Sequence, residues 1–150
     1  RTPEASRAAS DISTLPVCRD YCVRIQRELA TRQPLILEGR DIGTYVFPDA
    51  PVKFFVTASP EVRAARRMKD LEKAGVTTTL EEVLREMEER DRQDAGRKLA
   101  PTKRADDAIQ IDSGEMSAFE VVDIMIDVIR QKEKVQQTYR IPQENAGPHE

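Results

Sequence analysis

The sequence predicts an α/β fold built on a parallel sheet, and two observations support this. Three short aliphatic runs bounded by turn residues have the length and composition of strands: Leu35–Leu37, Val52–Val56 and Ala108–Ile111. Helical patterns directly follow two of these runs, and strands that alternate with helices are typical of a parallel sheet covered on both faces. Three strands are few for such a sheet, so we expect it to be incomplete.

The composition is that of one globular domain. Of the 150 residues, 39 % are hydrophobic, and a chain of this length buries about 68–70 % of its unfolded surface. The 24 basic and 27 acidic residues give a formal net charge of −3, which leaves no basic excess for nucleic acid or an anionic membrane. No apolar run approaches the ~18 residues of a membrane span. We therefore expect a soluble, cytoplasmic domain with no nucleic-acid or membrane partner. The first residue is Arg1 rather than Met, so we also expect a piece of something longer.

Two helices are predicted before the first strand. Residues 2–12 are polar, with alanines at positions 5, 8 and 9, and indicate a helix or one arm of a helical hairpin. Pro16 suits the first position of a second helix, which Pro34 ends. The apolar residues of this second helix recur at helical spacing: Cys18, Cys22, Ile25 and Leu29. We expect the two cysteines to be small hydrophobic residues on that face rather than metal ligands.

Capping signals predict three further helices. Ser59 as N-cap and Pro60 at the first helical position begin one that runs to about residue 74. Capping-box patterns precede the other two, at Thr79 with Glu82 and at Ser117 with Glu120. We expect these helices to reach about residues 99 and 139.

The first candidate site follows the first predicted strand. Ligands of open α/β sheets bind beyond the carboxyl ends of the strands, and residues 39–43 (GRDIG) occupy such a position. The guanidinium of Arg40 suits a phosphate, and Asp41 offers a hydrogen-bond acceptor. The alternative interpretation is an ordinary Arg–Asp surface pair in a turn.

The second candidate site lies on the long helix from residue 80. Arg90, Asp94 and Arg97 are spaced i, i+4, i+7 and would share one helix face. Two guanidinium groups beside one carboxylate can hold a phosphate while the carboxylate binds a ribose hydroxyl. The alternative is a solvated helix face with ordinary ion pairs, which the many neighbouring charges favour.

Two further observations concern phosphate binding. A third arginine cluster stands early in the helix from residue 60, at Arg63, Arg66 and Arg67. It could line a polyphosphate site, or its side chains could lie along an exposed helix. The sequence contains no G-x-x-x-x-G-K-[ST] loop, so these residues encode no such nucleoside triphosphate cradle.

Taken together, six stretches of the sequence resemble the bacterial cytidylate kinase family, nucleoside monophosphate kinases of the P-loop class. They are RTPEASRAAS (1–10), EGRDIGT (38–44), FPDAPVKFF (47–55), TASPEVRAARR (57–67), EERDRQDAGR (88–97) and APTKRADDAIQID (100–112). The resemblance covers about residues 1–130 in one uninterrupted order. The GRD-x-GT motif followed by FPDAP is close to diagnostic among the monophosphate kinases.

The resemblance implies a P-loop nucleoside monophosphate kinase-like fold, with flanking helices around a parallel sheet that here lacks the P-loop strand. In the family that strand lies between the ones that correspond to residues 35–38 and 52–57. The resemblance also divides the chain into parts: 1–33 as the remainder of the CMP-binding insert, 34–79 and 100–139 as core, 80–99 as the lid helix region, and 140–150 as a flexible tail.

The activity that the resemblance implies is phosphoryl transfer from ATP to CMP or dCMP with Mg²⁺, giving (d)CDP and ADP. The implied partners are therefore CMP, dCMP and ATP, and we expect the complete protein to be a monomer. Because the P-loop is missing, we predict that the 150 residues alone are inactive. We also expect the metal ligands to lie outside these residues.

The resemblance assigns roles to nine residues by position. Three correspond to readers of cytosine: Ser10, Arg19 and Asp41. Three correspond to catalytic arginines that hold the phosphates: Arg40, Arg90 and Arg97. Asp94 corresponds to the partner of the ribose hydroxyls, and Arg63 and Arg67 to residues that face the donor nucleotide.

Two other interpretations remain open at this point. One is a non-catalytic nucleotide-binding or regulatory module that lacks a P-loop. The other is a helical interaction protein, in which Arg90, Asp94 and Arg97 form only a salt-bridged face. The second predicts no nucleotide binding and little effect of Arg97→Ala.

Overall fold

The computed structural model describes residues 3–138, apart from the side chains of residues 3, 4, 6, 7, 10 and 135–138. Five α-helices and two β-strands occur within this part of the chain. Their bounds in chain order are α1 Pro3–Ile12, α2 Pro16–Arg32, β1 Phe54–Thr57, α3 Pro60–Lys73, α4 Leu80–Ala95, β2 Ile109–Asp112 and α5 Ala118–Thr138. One π-helical turn, Ile42–Val46, separates α2 from β1. The predicted tail, residues 140–150, lies outside the described residues.

The predicted capping residues begin their helices as expected. The Ser59 hydroxyl accepts a hydrogen bond from Val62 N at 3.3 Å at the start of α3. At the start of α4, Thr79 Oγ1 accepts from Glu82 N at 3.2 Å, and Glu82 Oε2 accepts from Thr79 N at 3.0 Å. Ser117 and Glu120 make the same reciprocal pair before α5. Each of these bonds satisfies an amide that has no partner within its helix.

Helix α4 is shorter than the sequence predicts, because it ends at Ala95 rather than near residue 99. Gly96 caps it and donates its amide to Arg92 O at 2.9 Å. Glycine is a poor helix former, and Pro101 disfavours helical backbone in the residue before it. That residue, Ala100, has a φ of 51°. The chain therefore turns away immediately after the helix.

The sheet consists of β1 and β2, which run parallel with Phe54 opposite Ile109 and Thr57 opposite Asp112. These two strands confirm two of the three predicted ones. The third prediction is wrong: residues 35–37 form no strand, and Ile36 is 99 % exposed. A strand needs a neighbouring ladder to satisfy its backbone groups, and the described residues offer none at this position.

The main apolar cluster lies between α3 and α4 rather than on the sheet. Ala64, Leu71 and Val83 are buried there. Four partly buried residues pack against them: Met68, Val76, Leu84 and Met87. This contact fixes α4, which carries the second candidate site, against α3.

The predicted apolar stripe of α2 does not face the protein. Cys22 is exposed, Ile25 and Leu29 are 38 % and 41 % exposed, and Cys18 is half-buried. The buried residue of this helix is Val23. Arg19 and Arg27 flank it at i−4 and i+4 and contact the π-helical turn, so polar partners rather than apolar spacing set the orientation of α2.

Candidate active site

Arg40 and Asp41 of the GRDIGT motif lie directly before the π-helical turn, and Asp41 is its N-cap residue. The Asp41 carbonyl accepts hydrogen bonds from Tyr45 N at 2.9 Å and from Val46 N at 3.3 Å. Phe47 N donates to Ile42 O at 2.7 Å. Single π-helical turns are rare and occur frequently at functional sites. The backbone directly after Asp41 is therefore held by its own hydrogen bonds.

Helix α2 holds the π-helical turn with two arginines. Arg27 Nε donates to Val46 O and its Nη2 donates to Tyr45 O, both at 2.9 Å. Arg19 forms a hydrogen-bonded ion pair with Asp41, and its guanidinium lies 4.9 Å from the centre of the Tyr45 ring. We call Arg19, Asp41 and Tyr45 the Asp41 cluster. The Arg19 and Asp41 side chains are only 9 % and 12 % exposed, so this pair is largely shielded from solvent.

A second cluster surrounds Asp94, whose side chain is 2 % exposed. Arg97 Nη2 lies 2.7 Å from Asp94 Oδ1. The Nε atoms of Arg40 and Arg90 lie 3.4 Å and 3.8 Å from Asp94 Oδ2. Neither carboxylate oxygen accepts a hydrogen bond from a described residue with acceptable geometry. A buried carboxylate that has ion-pair partners but no hydrogen bond is unusual in a folded protein.

Asp91 extends this cluster toward α3. Its Oδ2 accepts a hydrogen bond from Arg63 Nη1 at 2.6 Å, and its Oδ1 lies 3.9 Å from Arg40 Nη1. We call the complete set the Asp94 cluster: Arg40, Arg63, Arg90, Arg97, Asp91 and Asp94. Four guanidinium groups against two carboxylates leave a formal charge of +2. Such a surplus suits a doubly charged anion.

The structure modifies the sequence interpretation of Arg97. The i, i+7 spacing predicts that Arg97 shares a helix face with Arg90, but Arg97 lies beyond the end of α4. It reaches Asp94 from the turn that follows the cap. The alternative of a solvated helix face does not describe Asp94, because that carboxylate is almost fully buried.

The remaining candidate residues are Arg66, Arg67 and Ser10. Arg67 is half-buried on α3. Arg66 donates to Ser113 Oγ at 3.0 Å and to Ser113 O at 2.5 Å, so it ties α3 to the end of β2. Ser10 lies on α1, and its side chain is outside the described part of the structure.

The family model for cytidylate kinase matches residues 1–131 of the chain. The chain belongs to the cytidylate kinase family. It is 48 % identical over 134 residues to the cytidylate kinase of Geobacter sulfurreducens. The aligned stretch covers 89 % of this chain and 58 % of that protein. The chain is 44 % identical over 132 residues to the cytidylate kinase of Fervidobacterium nodosum, with 88 % and 60 % covered. The chain thus spans about 60 % of the length of these curated relatives.

This membership agrees with the α/β fold observed here, a two-stranded parallel sheet with flanking helices. Within residues 3–138, no helix is long and apolar enough to cross a membrane. The same residues contain no group of three or more His, Cys, Asp or Glu side chains that could hold a metal ion.

Sequence reasoning missed Asp91, Tyr45 and Arg27 as members or supports of the site. Asp91 stands among many charges on α4, so its spacing gave no reason to prefer it to its neighbours. A signal for Arg27 did exist, because Arg19, Val23 and Arg27 recur at i, i+4, i+8. Tyr45 becomes recognisable only once the π-helical turn brings its ring beside Arg19.

Proposed function

We propose that this chain forms the acceptor-binding and lid portion of a cytidylate kinase, which transfers a phosphoryl group from ATP to CMP or dCMP. The observation that carries the proposal is the Asp94 cluster. It combines a formal charge of +2 with a buried carboxylate that is held by ion pairs and accepts no hydrogen bond from a described residue. A nucleoside monophosphate offers both complements, a phosphate dianion and sugar hydroxyls.

The proposed contacts follow from this chemistry. Arg40, Arg90 and Arg97 bind the acceptor phosphate, since guanidinium groups suit phosphate oxygens. The Asp94 carboxylate accepts hydrogen bonds from the sugar hydroxyls. In this assignment the arginines neutralise the phosphate, and the Asp94 oxygens gain the hydrogen bonds that no described residue gives them.

The cytosine base is assigned to the Asp41 cluster together with Ser10. An ionised carboxylate only accepts hydrogen bonds, and it has room for more than one donor. Asp41 can therefore keep Arg19 and also accept from the exocyclic amine of cytosine. Uracil carries no such amine, and a site built on this hydrogen bond disfavours an analogue that lacks it.

The chemical step needs little covalent participation by the protein. The acceptor phosphate is itself the nucleophile, so catalysis consists of positioning and of stabilising charge on the transferred group. Arg40, Arg90 and Arg97 supply that charge, and closure of the α4 region excludes water. Arg63 and Arg67 face the donor; in the structure Arg63 is held by Asp91 and by Ala58 O.

Phosphoryl transfer also needs groups beyond those described. Mg²⁺ would neutralise charge on the ATP phosphates. Residues 3–138 offer no carboxylate or histidine cluster of three to hold it, and no P-loop occurs in the 150 residues. We therefore expect the 150-residue chain to form no CDP from CMP and ATP. CDP formation by a verified preparation would contradict this.

Calorimetric titration of the chain with CMP and UMP tests the acceptor site. We expect saturable CMP binding, weaker UMP binding and loss of the preference in Asp41→Asn. Asp49→Asn is the matched control, because it makes the same chemical change at an exposed position in the nearby 47–50 turn. Equal binding of CMP and UMP by the unaltered chain would refute the proposed base recognition.

A fusion protein distinguishes the kinase from a nucleotide-binding module without phosphoryl-transfer function, since both would bind CMP. Such a module would bind CMP and remain inactive even when a cytidylate kinase segment carrying a P-loop is fused to its amino terminus. A fused protein that forms CDP from CMP and ATP would favour the kinase.

A further inference from the structure

Lys53 is a buried lysine that neither the proposed nucleotide contacts nor the main apolar cluster uses. Its side chain is 7 % exposed, and it directly precedes β1. Its backbone carbonyl accepts a hydrogen bond from Ile109 N at 3.0 Å. The base of the side chain is therefore fixed to the sheet. An ammonium group is costly to bury unless its hydrogens are satisfied, so its partners are informative.

Three acceptors surround the Lys53 ammonium. Nζ donates to Pro48 O, and it lies 2.9 Å and 2.8 Å from the two carboxylate oxygens of Asp107. Three acceptors match the three hydrogens of an ammonium group. The hydrogen bond from Lys53 also holds the pKa of Asp107 below its ordinary value. The ammonium thereby ties the turn before β1 to the loop before β2.

The apolar stem of Lys53 supports the π-helical turn. A Cβ atom at Gly43 would lie 3.2 Å from Lys53 Cδ and 3.6 Å from Cγ. The stem thus occupies the space beside Gly43 that a side chain at this position would need, and glycine leaves that space free. A side chain fixed at both ends, by the sheet and by its ion pair, therefore lies against the π-helical turn at Gly43, two residues after Asp41.

We propose that Lys53 is a positioning residue, which holds the π-helical turn so that Asp41 is aimed for discrimination of CMP from UMP. The inference rests on the proposed function for its ligand. Methionine has nearly the same length and would fill the same space, so packing alone does not require a lysine here. The ammonium adds a fixed direction, because it anchors the stem at its far end.

The test compares Lys53→Met with the control Lys69→Met, which removes an exposed lysine from α3. For each protein, calorimetry gives the ratio of the UMP and CMP dissociation constants at a temperature below its thermal transition. Misplacing a binding group slightly has large effects, so we expect this ratio to fall roughly tenfold in Lys53→Met. Lys69→Met should keep the ratio of the unaltered chain.

Two further measurements separate positioning from stability. Asp107→Asn and the double variant should lose no more discrimination than Lys53→Met, because one ion pair acts as a unit. In Lys53→Met, amide hydrogen exchange should be faster at Thr44, Tyr45 and Val46, whose N–H groups donate to Asp41 O. If Lys53 only stabilised the fold, Lys53→Met would lower the thermal midpoint and leave the ratio of the UMP and CMP dissociation constants unchanged.

The outcomes distinguish this inference from the proposed function. If the unaltered chain prefers CMP and Lys53→Met keeps that preference, the inference is overturned while the proposed function stands. If the unaltered chain shows no preference, the proposed base recognition fails, and exchange alone decides whether Lys53 holds the turn. Unchanged exchange at these amides in Lys53→Met would overturn the positioning role in either case.

Discussion

Arg40 and Asp41 are adjacent in the sequence, yet they belong to clusters of different electrostatic character. Asp41 is paired one to one with Arg19, whose guanidinium lies over the Tyr45 ring, so this cluster carries no net formal charge. Arg40 joins a cluster in which guanidinium groups outnumber carboxylates by two. A neutral cluster can select a ligand by hydrogen-bond pattern, whereas a positive one selects mainly by charge. Because Arg40 and Asp41 are neighbours in the chain, the two clusters can bind different parts of one ligand.

The largest effect should come from removing the negative charge beneath the arginines. Asp94→Asn leaves Arg40, Arg90 and Arg97 without the buried carboxylate between them. Breaking a buried ion pair from one side is strongly destabilising, and we expect a loss of about 3 kcal/mol in the free energy of unfolding, measured with urea. Asp91→Asn is the control on the same helix. Its side chain is 35 % exposed, so about 1 kcal/mol or less is expected.

Other outcomes would contradict this account of the two carboxylates. If Asp91→Asn destabilised the chain as much as Asp94→Asn, burial would not be what distinguishes the two carboxylates. If Asp94→Asn left stability unchanged, its three arginines would be adequately solvated without it.

The next effect should concern ligand affinity rather than stability. Arg97→Ala removes the guanidinium nearest to Asp94, which we assign to the acceptor phosphate. Hydrogen bonds to charged groups contribute about 1.5–3 kcal/mol, so CMP should bind roughly 10- to 100-fold more weakly by calorimetry. Arg92→Ala is the control, because Arg92 is an exposed arginine in the last turn of α4, five residues before Arg97. Equal losses in the two variants would mean that Arg97 has no special role.

The salt dependence of ligand affinity should distinguish the two clusters without any substitution. Exposed and half-exposed charge interactions weaken as ionic strength rises, and Arg40 and Arg90 are 46 % and 44 % exposed. CMP affinity should therefore fall several-fold between about 0.05 M and 0.5 M salt. Cytidine, which lacks the phosphate, should bind weakly but with little salt dependence. Parallel salt slopes for the two ligands would contradict the division into a charged and a neutral cluster.

The local signals in the sequence predicted much of the fold. Ser59, Thr79 and Ser117 begin helices because a cap needs only a few neighbouring residues. Residues 35–37 fail as a strand because a ladder partner must come from elsewhere in the chain. The orientation of α2 was also missed, since Arg19 and Arg27 find their partners on the π-helical turn rather than on α2 itself.

The candidate site shows the same division. Spacing brought Arg90 and Asp94 together correctly, because both lie within one helix. It could not show that Arg40 reaches Asp94 while Asp41 turns toward Arg19, because both contacts are set by distant segments. Lys53 was missed for a related reason: a lysine in a predicted strand such as Val52–Val56 is ordinarily exposed, and only its partners Pro48 and Asp107 explain its burial.

The smallest effect should come from pH acting on the far end of α4. Hydrogen bonds from the Thr79 amide, then from the hydroxyls of Thr78 and Thr79, hold the pKa of Glu82 below its ordinary value of about 4.5. A lowered folded-state pKa means that this cap stabilises the helix fully above the unfolded-state pKa. The contribution is lost as pH falls through the folded-state value. Glu82→Gln should therefore flatten the decline of the thermal midpoint between about pH 5 and 3. The ratio of the UMP and CMP dissociation constants at pH 7 should stay unchanged, because Glu82 lies three helical turns from Asp94 and contacts neither cluster. An altered ratio would mean that the amino end of α4 is coupled to base recognition, which neither the Asp41 cluster nor its contacts with α2 would explain.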